Sequence, residues 1–179
     1  MKNFLLITVL MVSVFGFGQE KEKDKVSIFN KKHEIKVGAI HLLAGPILEG
    51  TYEHIYSKDF TFGSSILINL NNTTYYSDEF SVTPFARFYF QETKEYGAQG
   101  FFVEGFAKYF SGKYDKYNQF GDTPKAFSSA ALGLGLGKKW INSSGFVFEA
   151  LVGVGRTLGG ADYKPDVVFR GDLSIGYRF

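Results

Sequence analysis

The sequence predicts an all-β fold: an eight-stranded antiparallel up-and-down transmembrane β-barrel with a filled, polar lumen. Three observations predict it. From Glu34 onward, apolar and polar residues alternate with period two in one segment after another, the mark of strands with two unlike faces. Tight turns alternate with longer polar connections, the asymmetry of barrels whose two ends differ. The apolar faces carry large side chains, and the opposite faces carry glycine and charge.

Composition bounds the rest. Of 179 residues, 45% are hydrophobic and 18% aromatic, with 21 glycines and 4 prolines, which excludes a disordered chain. The absence of cysteine excludes a disulfide scaffold, a thiolate metal site and a cysteine nucleophile. Lys+Arg 20 against Asp+Glu 18 leaves no basic field for nucleic acid.

Taken in order, Met1-Lys2-Asn3 and the apolar run 4–18 read as a secretory signal peptide cleaved near Gly18 or Gln19. The run is short of the ~20 residues a spanning helix needs. Residues 19–32 read as a charged, solvated N-terminal tail. The barrel domain is assigned to residues 33–179. Its first two strands, about Glu34 to Ala44 and Ile47 to Tyr56, alternate least cleanly. In the third, Phe60, Phe62, Ile66, Ile68 and Leu70 oppose Thr61, Ser65 and Asn69. In the fourth, Phe80, Val82, Ala86, Phe88 and Phe90 oppose Ser81, Thr83, Arg87 and Gln91. Pro84 falls mid-strand there and removes a ladder donor, which a bulge would accommodate. Phe101, Val103, Ala107 and Tyr109 oppose Glu104 and Lys108 in the fifth. The sixth sets Leu132, Leu134, Leu136 and Trp140 against Gly133, Gly135, Gly137 and Lys139. The seventh sets Phe146, Phe148, Val152 and Val154 against Glu149, Gly153 and Gly155. The eighth sets Phe169, Leu173, Ile175, Tyr177 and Phe179 against Arg170, Asp172, Ser174 and Arg178.

Residues 57–59 and 141–145 are tight turns, 91–100 is intermediate, and 71–79, 111–125 and 157–166 are long. Only Gly45-Pro46, the first connection, breaks the alternation. A soluble barrel would turn the apolar faces inward, and an eight-stranded lumen has little room for so many phenylalanines. Turned outward, the aromatics meet lipid. Tyr56, Phe60, Phe88, Phe90, Phe101, Trp140, Phe146, Tyr177 and Phe179 then gather near the short-turn end as an aromatic girdle, with aliphatics such as Val82, Leu134 and Val152 between the two ends.

This inversion pens Glu49, Glu53, Glu104, Glu149 and Asp172 with Arg87, Lys108, Lys139, Arg170 and Arg178. Such charges in a narrow space predict an interlocked ion-pair network and a plugged barrel without a wide pore.

The terminal Tyr177-Arg178-Phe179 resembles the C-terminal signature of bacterial outer-membrane barrels. Further stretches are 33–36, 48–53, 84–89, 100–105, 133–140, 145–148 and 170–179. In this order they resemble a family of small outer-membrane barrels grouped as a domain of unknown function. The resemblance implies the outer membrane of a Gram-negative bacterium, contact with its lipids, and recognition of Phe179 by the barrel assembly machinery. It supplies no catalytic residue.

The chemical alternatives are thin. The glycines of 133–137 and 153–155 lack the spacing of phosphate loops and read as small residues under bulky lumenal neighbours. His33, His41 and His54 are too dispersed for a metal site. His41 falls by parity towards lipid, where a lipid hydrolase or acyltransferase would use it with Ser64 or Ser65. Asn71 and Asn142 open sequon-like triplets that read as turns. Loop 111–125, rich in tyrosine and lysine, is the place for any surface ligand. The expectation is therefore a monomeric structural, adhesion or surface-binding barrel with no cofactor. A lipid enzyme and a soluble exported ligand-binding barrel are the alternatives.

Overall fold

The computed structural model describes residues 28–70, 78–90, 96–114, 125–159 and 165–179. Eight strands follow one another: β1 (His33–Gly38), β2 (Ile47–Ile55), β3 (Phe60–Asn69), β4 (Asp78–Tyr89), β5 (Gly100–Tyr114), β6 (Lys125–Ile141), β7 (Phe146–Leu158) and β8 (Val167–Arg178). Each pairs antiparallel with its neighbours, and β1 pairs with β8 to close the barrel. Closure leaves no free edge along the paired length, so backbone amides there are satisfied within the sheet. Among the described residues no helix is long and apolar enough to cross a membrane.

Strand β1 corrects the expected span. It stops at Gly38, and Ala39–Ala44 form a short helix, α1. The run Ala-Ile-His-Leu-Leu-Ala is rich in helix formers, and Gly45-Pro46 ends it. The connection between β1 and β2 thus spans 39–46, and the apparent exception to the alternating loop lengths disappears. Helix α1 packs against β2 and β8. It stands where β1 would otherwise continue, because β8 meets β1 only from Ser174 to Arg178.

Other boundaries also move. Ser111–Tyr114 continue β5 and Lys125 opens β6, so the loop expected over 111–125 shrinks to 115–124, outside the described residues. Of the expected solvated tail, residues 28–32 are docked at the short-turn end. Ile28 is buried, and the Lys32 carbonyl accepts the Ile55 amide at 2.8 Å. The leader and residues 19–27 lie outside the described residues. Pro84 needs no bulge. It stays in register with Ser64 of β3, while the β4–β5 pairing passes from Val82↔Tyr109 to Phe85↔Phe106 without a shift. The register shift in this pair lies at Asp78/Phe80 instead.

The outer face is apolar. Leu134, Val152 and Phe169 are 73%, 69% and 76% exposed. The interior holds charge, as expected, and also, among the described residues, six buried aromatic rings, which corrects the picture of a lumen filled by charges and small residues alone. Phe85, Phe106, Phe110 and Phe127 cluster with Ala131 and Val168. Tyr89 and Phe102 cluster with Ile55 and Ala98. The rings fit because the wall opposite them is glycine. A Cβ at position 133 would collide with Phe106 Cζ, and one at 137 with Phe102 Cζ. Bulk on β5 is thus matched by its absence on β6, the small–large complementarity that fills narrow barrels.

Candidate functional site

The lumen is built from the strands' inward parity positions. All ten residues assigned to it from the sequence line it: Glu49, Glu53, Arg87, Glu104, Lys108, Lys139, Glu149, Arg170, Asp172 and Arg178. Eight of them, all but Lys108 and Asp172, lock with Glu34 and Lys36 into one ladder. At the short-turn end Arg178 donates to the carbonyls of Tyr96, Gly97 and Ala98 at 2.8, 3.0 and 3.3 Å, and through Nε to Glu34 at 2.7 Å. Lys139 joins Glu34 (2.8 Å) to Glu53 (2.7 Å). Glu53 is the hub, accepting also from Lys36 at 2.5 Å, Arg87 at 2.7 Å and the Tyr89 hydroxyl at 3.0 Å. Glu149 accepts from Lys36 and Arg87 at 2.6 and 2.8 Å. Arg87 Nε donates to one oxygen of Glu104, and Arg170 Nε to the other, both at 2.7 Å. Arg170 reaches on to Glu49 and Ser65 at 3.3 and 3.0 Å. Beside the ladder, Lys108 donates to Asp78 at 2.5 Å.

Aromatic faces insulate the ladder. The Arg87 guanidinium lies 4.2 Å from the Phe85 ring centroid and 4.5 Å from that of Phe102, and Lys139 Nζ lies 5.0 Å from Tyr89. Such cation–π contacts gain strength where water is excluded, and Arg87, Glu104 and Glu53 are at most 1% exposed. Each buried charge is met by opposite charge and hydrogen bonds, the condition under which burial is tolerated.

Sequence reasoning missed Glu34, Lys36 and Asp78. Their signal was available: Glu34 and Lys36 alternate with Ile35 and Val37, but the pattern dissolves in the helix that follows. Asp78 was assigned to a loop, whereas it opens β4.

His41 is the clearest correction. Strand parity sends it to lipid, but helix α1 turns it inward. Its Nδ1 lies 2.9 Å from Glu49 and 3.8 Å from Asp172. The Glu49 carboxylate beside it holds the imidazole above its ordinary pKa, against the opposing effect of burial. The suggested serine partners are placed differently. Ser64 pairs with Tyr52 and Pro84, on the outward parity, and Ser65 accepts from Arg170 and bonds Glu49. Donor atoms of His41, Glu49 and Asp172 all lie within 4.8 Å of one another. A cavity of about 260 Å³ adjoins His41 and Glu49 at the long-loop end, lined also by Lys108, Arg170 and Gly171, the neighbour of Asp172. His33 and His54 sit together at the other end, ring centroids 5.1 Å apart, with His33 Nδ1 2.7 Å from the Tyr52 hydroxyl.

The residues assigned to the aromatic girdle, Tyr56, Phe60, Phe88, Phe90, Phe101, Trp140, Phe146, Tyr177 and Phe179, are all exposed on the outside. Phe179 is tied by its backbone, exchanging hydrogen bonds with His33 at 2.8 and 3.2 Å.

Together the fold and the interior define a closed, eight-stranded up-and-down barrel with an apolar exterior and an ion-paired core. The chain is similar in structure to the N-terminal β-barrel domain of Pseudomonas aeruginosa OprF, seen in a crystal structure, with a TM-score of 0.58 at 13% identity. The likeness covers 83% of this chain and 98% of that domain. No family model and no curated protein matches the chain.

Proposed function

We propose that this chain is a small outer-membrane barrel of structural, adhesion or surface-binding type, exported by its leader and anchored in lipid as a monomer. The observation that carries the reading is the inversion of polarity. Leu134, Val152 and Phe169 face outward while Arg87, Glu53, Glu104 and Arg178 are sealed within. A solvated barrel of this size would expose a far larger apolar area than soluble monomers do. The likeness to the OprF barrel domain supports the same setting. A ladder running through the lumen from Arg178 to Glu49 supports a barrel without a wide pore. The turn containing Ala98, fully buried at the short-turn end, supports it further. Specific contacts then fall to the connections at the long-loop end.

Envelope fractionation with heat-modifiable electrophoresis tests the proposal. The chain is expected in the outer membrane, soluble only with detergent, with a folded band that shifts on boiling. A monodisperse chain in detergent-free buffer overturns it. In planar bilayers the purified barrel is expected to give no steady conductance, and a stable open channel overturns the plugged-lumen part.

A further inference from the structure

We infer that His41, Glu49 and Asp172 form a binding site for a divalent first-row transition ion at the long-loop mouth of the barrel. The inference is independent of where the barrel resides. Three elements converge on the site: α1 brings the imidazole, β2 one carboxylate and β8 the other. The contacts of His41 Nδ1 with Glu49 and Asp172, at 2.9 and 3.8 Å, bracket the spacing of donors that each lie about 2 Å from one tetrahedral ion. One nitrogen and two carboxylate oxygens make a set of intermediate hardness. Calcium and magnesium, which take about six or more oxygens, fit it poorly. The neighbouring cavity of about 260 Å³ has room for water to complete the coordination shell.

The surrounding charges leave the carboxylates available. Arg170 engages Oε1 of Glu49, while Oε2 is the oxygen turned to His41. Lys108, the other cation beside the cavity, is held by Asp78 at 2.5 Å. Among the described residues, seven lumenal acids (Glu34, Glu49, Glu53, Asp78, Glu104, Glu149 and Asp172) face six lysines and arginines (Lys36, Arg87, Lys108, Lys139, Arg170 and Arg178). Six of the acids have a lysine or arginine within 4.0 Å. Asp172 is met by the His41 ring and by the Ile40 amide at 3.2 Å. Among these seven acids, Asp172 is thus the one met by an imidazole in place of a lysine or arginine. Gly38 shapes it too, since a Cβ there would run into the Asp172 carboxylate.

The location gives the ion a purpose. The triad sits at the seam where β1 has ended and α1 takes its place against β8, so an ion would tie α1, β2 and β8 together. Binding to the folded chain alone would stabilise it by mass action.

Zinc is the probe. The detergent-solubilised chain, stripped with EDTA, is titrated calorimetrically with Zn²⁺, and its melting is followed with and without the ion. One equivalent is expected to bind and to raise the melting temperature. Affinity is expected to fall by about tenfold or more in His41→Gln and in Asp172→Asn. Heat-modifiable migration establishes that each variant is folded, and His41→Ala serves should His41→Gln not fold. The double variant His33→Gln/His54→Gln removes the competing histidine pair and is expected to bind zinc as the parent does. Failure of the parent chain to bind zinc at about 1 mM, the weak end of specific affinities, overturns the inference. So does binding lost from the double variant and kept in folded His41→Gln.

Discussion

Arg87 and Glu104 stand directly opposite one another across the β4–β5 ladder and meet at 2.7 Å inside the lumen. Through this pair the lower half of the ladder, centred on Glu53, joins the upper half, centred on Arg170. Removing one partner strands charge in a space that excludes water. Arg87→Met leaves Glu53, Glu104 and Glu149 short of a donor and is expected to cost about 3–5 kcal/mol. Adding Glu104→Gln to Arg87→Met is expected to recover part of that loss. Denaturant unfolding in micelles, followed by the fluorescence of Trp140, measures both.

The ring-to-glycine fit between β5 and β6 makes a second prediction. Gly137→Ala places a methyl group against Phe102 and 2.6 Å from the Ala150 carbonyl. Overpacking of this kind costs about 1–3 kcal/mol. Shrinking the ring with Phe102→Leu relieves only the side-chain clash, so the double variant is expected to be more stable than Gly137→Ala alone and less stable than the parent. Equal stability of Gly137→Ala and parent in the same unfolding assay would contradict the packing described.

On the outside, Leu134→Arg tests the inversion of polarity. If Leu134 faces hydrocarbon, a charge there costs about 2–4 kcal/mol at mid-depth. On a water-facing surface the same change stays within about 0.5 kcal/mol. Refolding into lipid vesicles against urea distinguishes the two, and a neutral result removes the membrane reading.

Phe179→Ala separates folding from delivery. The backbone bonds of residue 179 to His33 do not need the ring. The purified variant is therefore expected to refold into detergent like the parent. In cells, if the ring of Phe179 is what the assembly machinery reads, the amount of folded barrel in the outer membrane is expected to fall. Unchanged insertion would remove the expectation that Phe179 serves as an assembly signal.

How much of this was legible in the sequence differs along the chain. Strands β6 and β8 were plain over 132–139 and 169–178, where glycine and charge alternate with single large apolar residues, leaving one reading of each face. Strands β4 and β5 hid their interior rings. In Phe85-Ala86-Arg87-Phe88-Tyr89 aromatics occupy both faces, so alternation of polarity cannot separate Phe85 from Phe88. Strand β1 was blurred by its length, since six residues leave few alternations before α1 changes the period. The same change of period hid the approach of His41 to Glu49 and Asp172, which depends on tertiary placement rather than spacing. Pairing partners such as Lys36 with Glu149, 113 positions apart, are set by barrel closure and have no local signal.

The grip of Arg178 on the turn at Tyr96, Gly97 and Ala98 has a consequence for the order in which the cylinder becomes watertight. Its stopper is main-chain carbonyl, which no side-chain substitution within the turn deletes, yet the clasp holding it lies on β8, the strand that closes the barrel against β1. A nascent barrel lacking its last strand is missing both a stave and the latch on its floor, so enclosure and sealing are completed together.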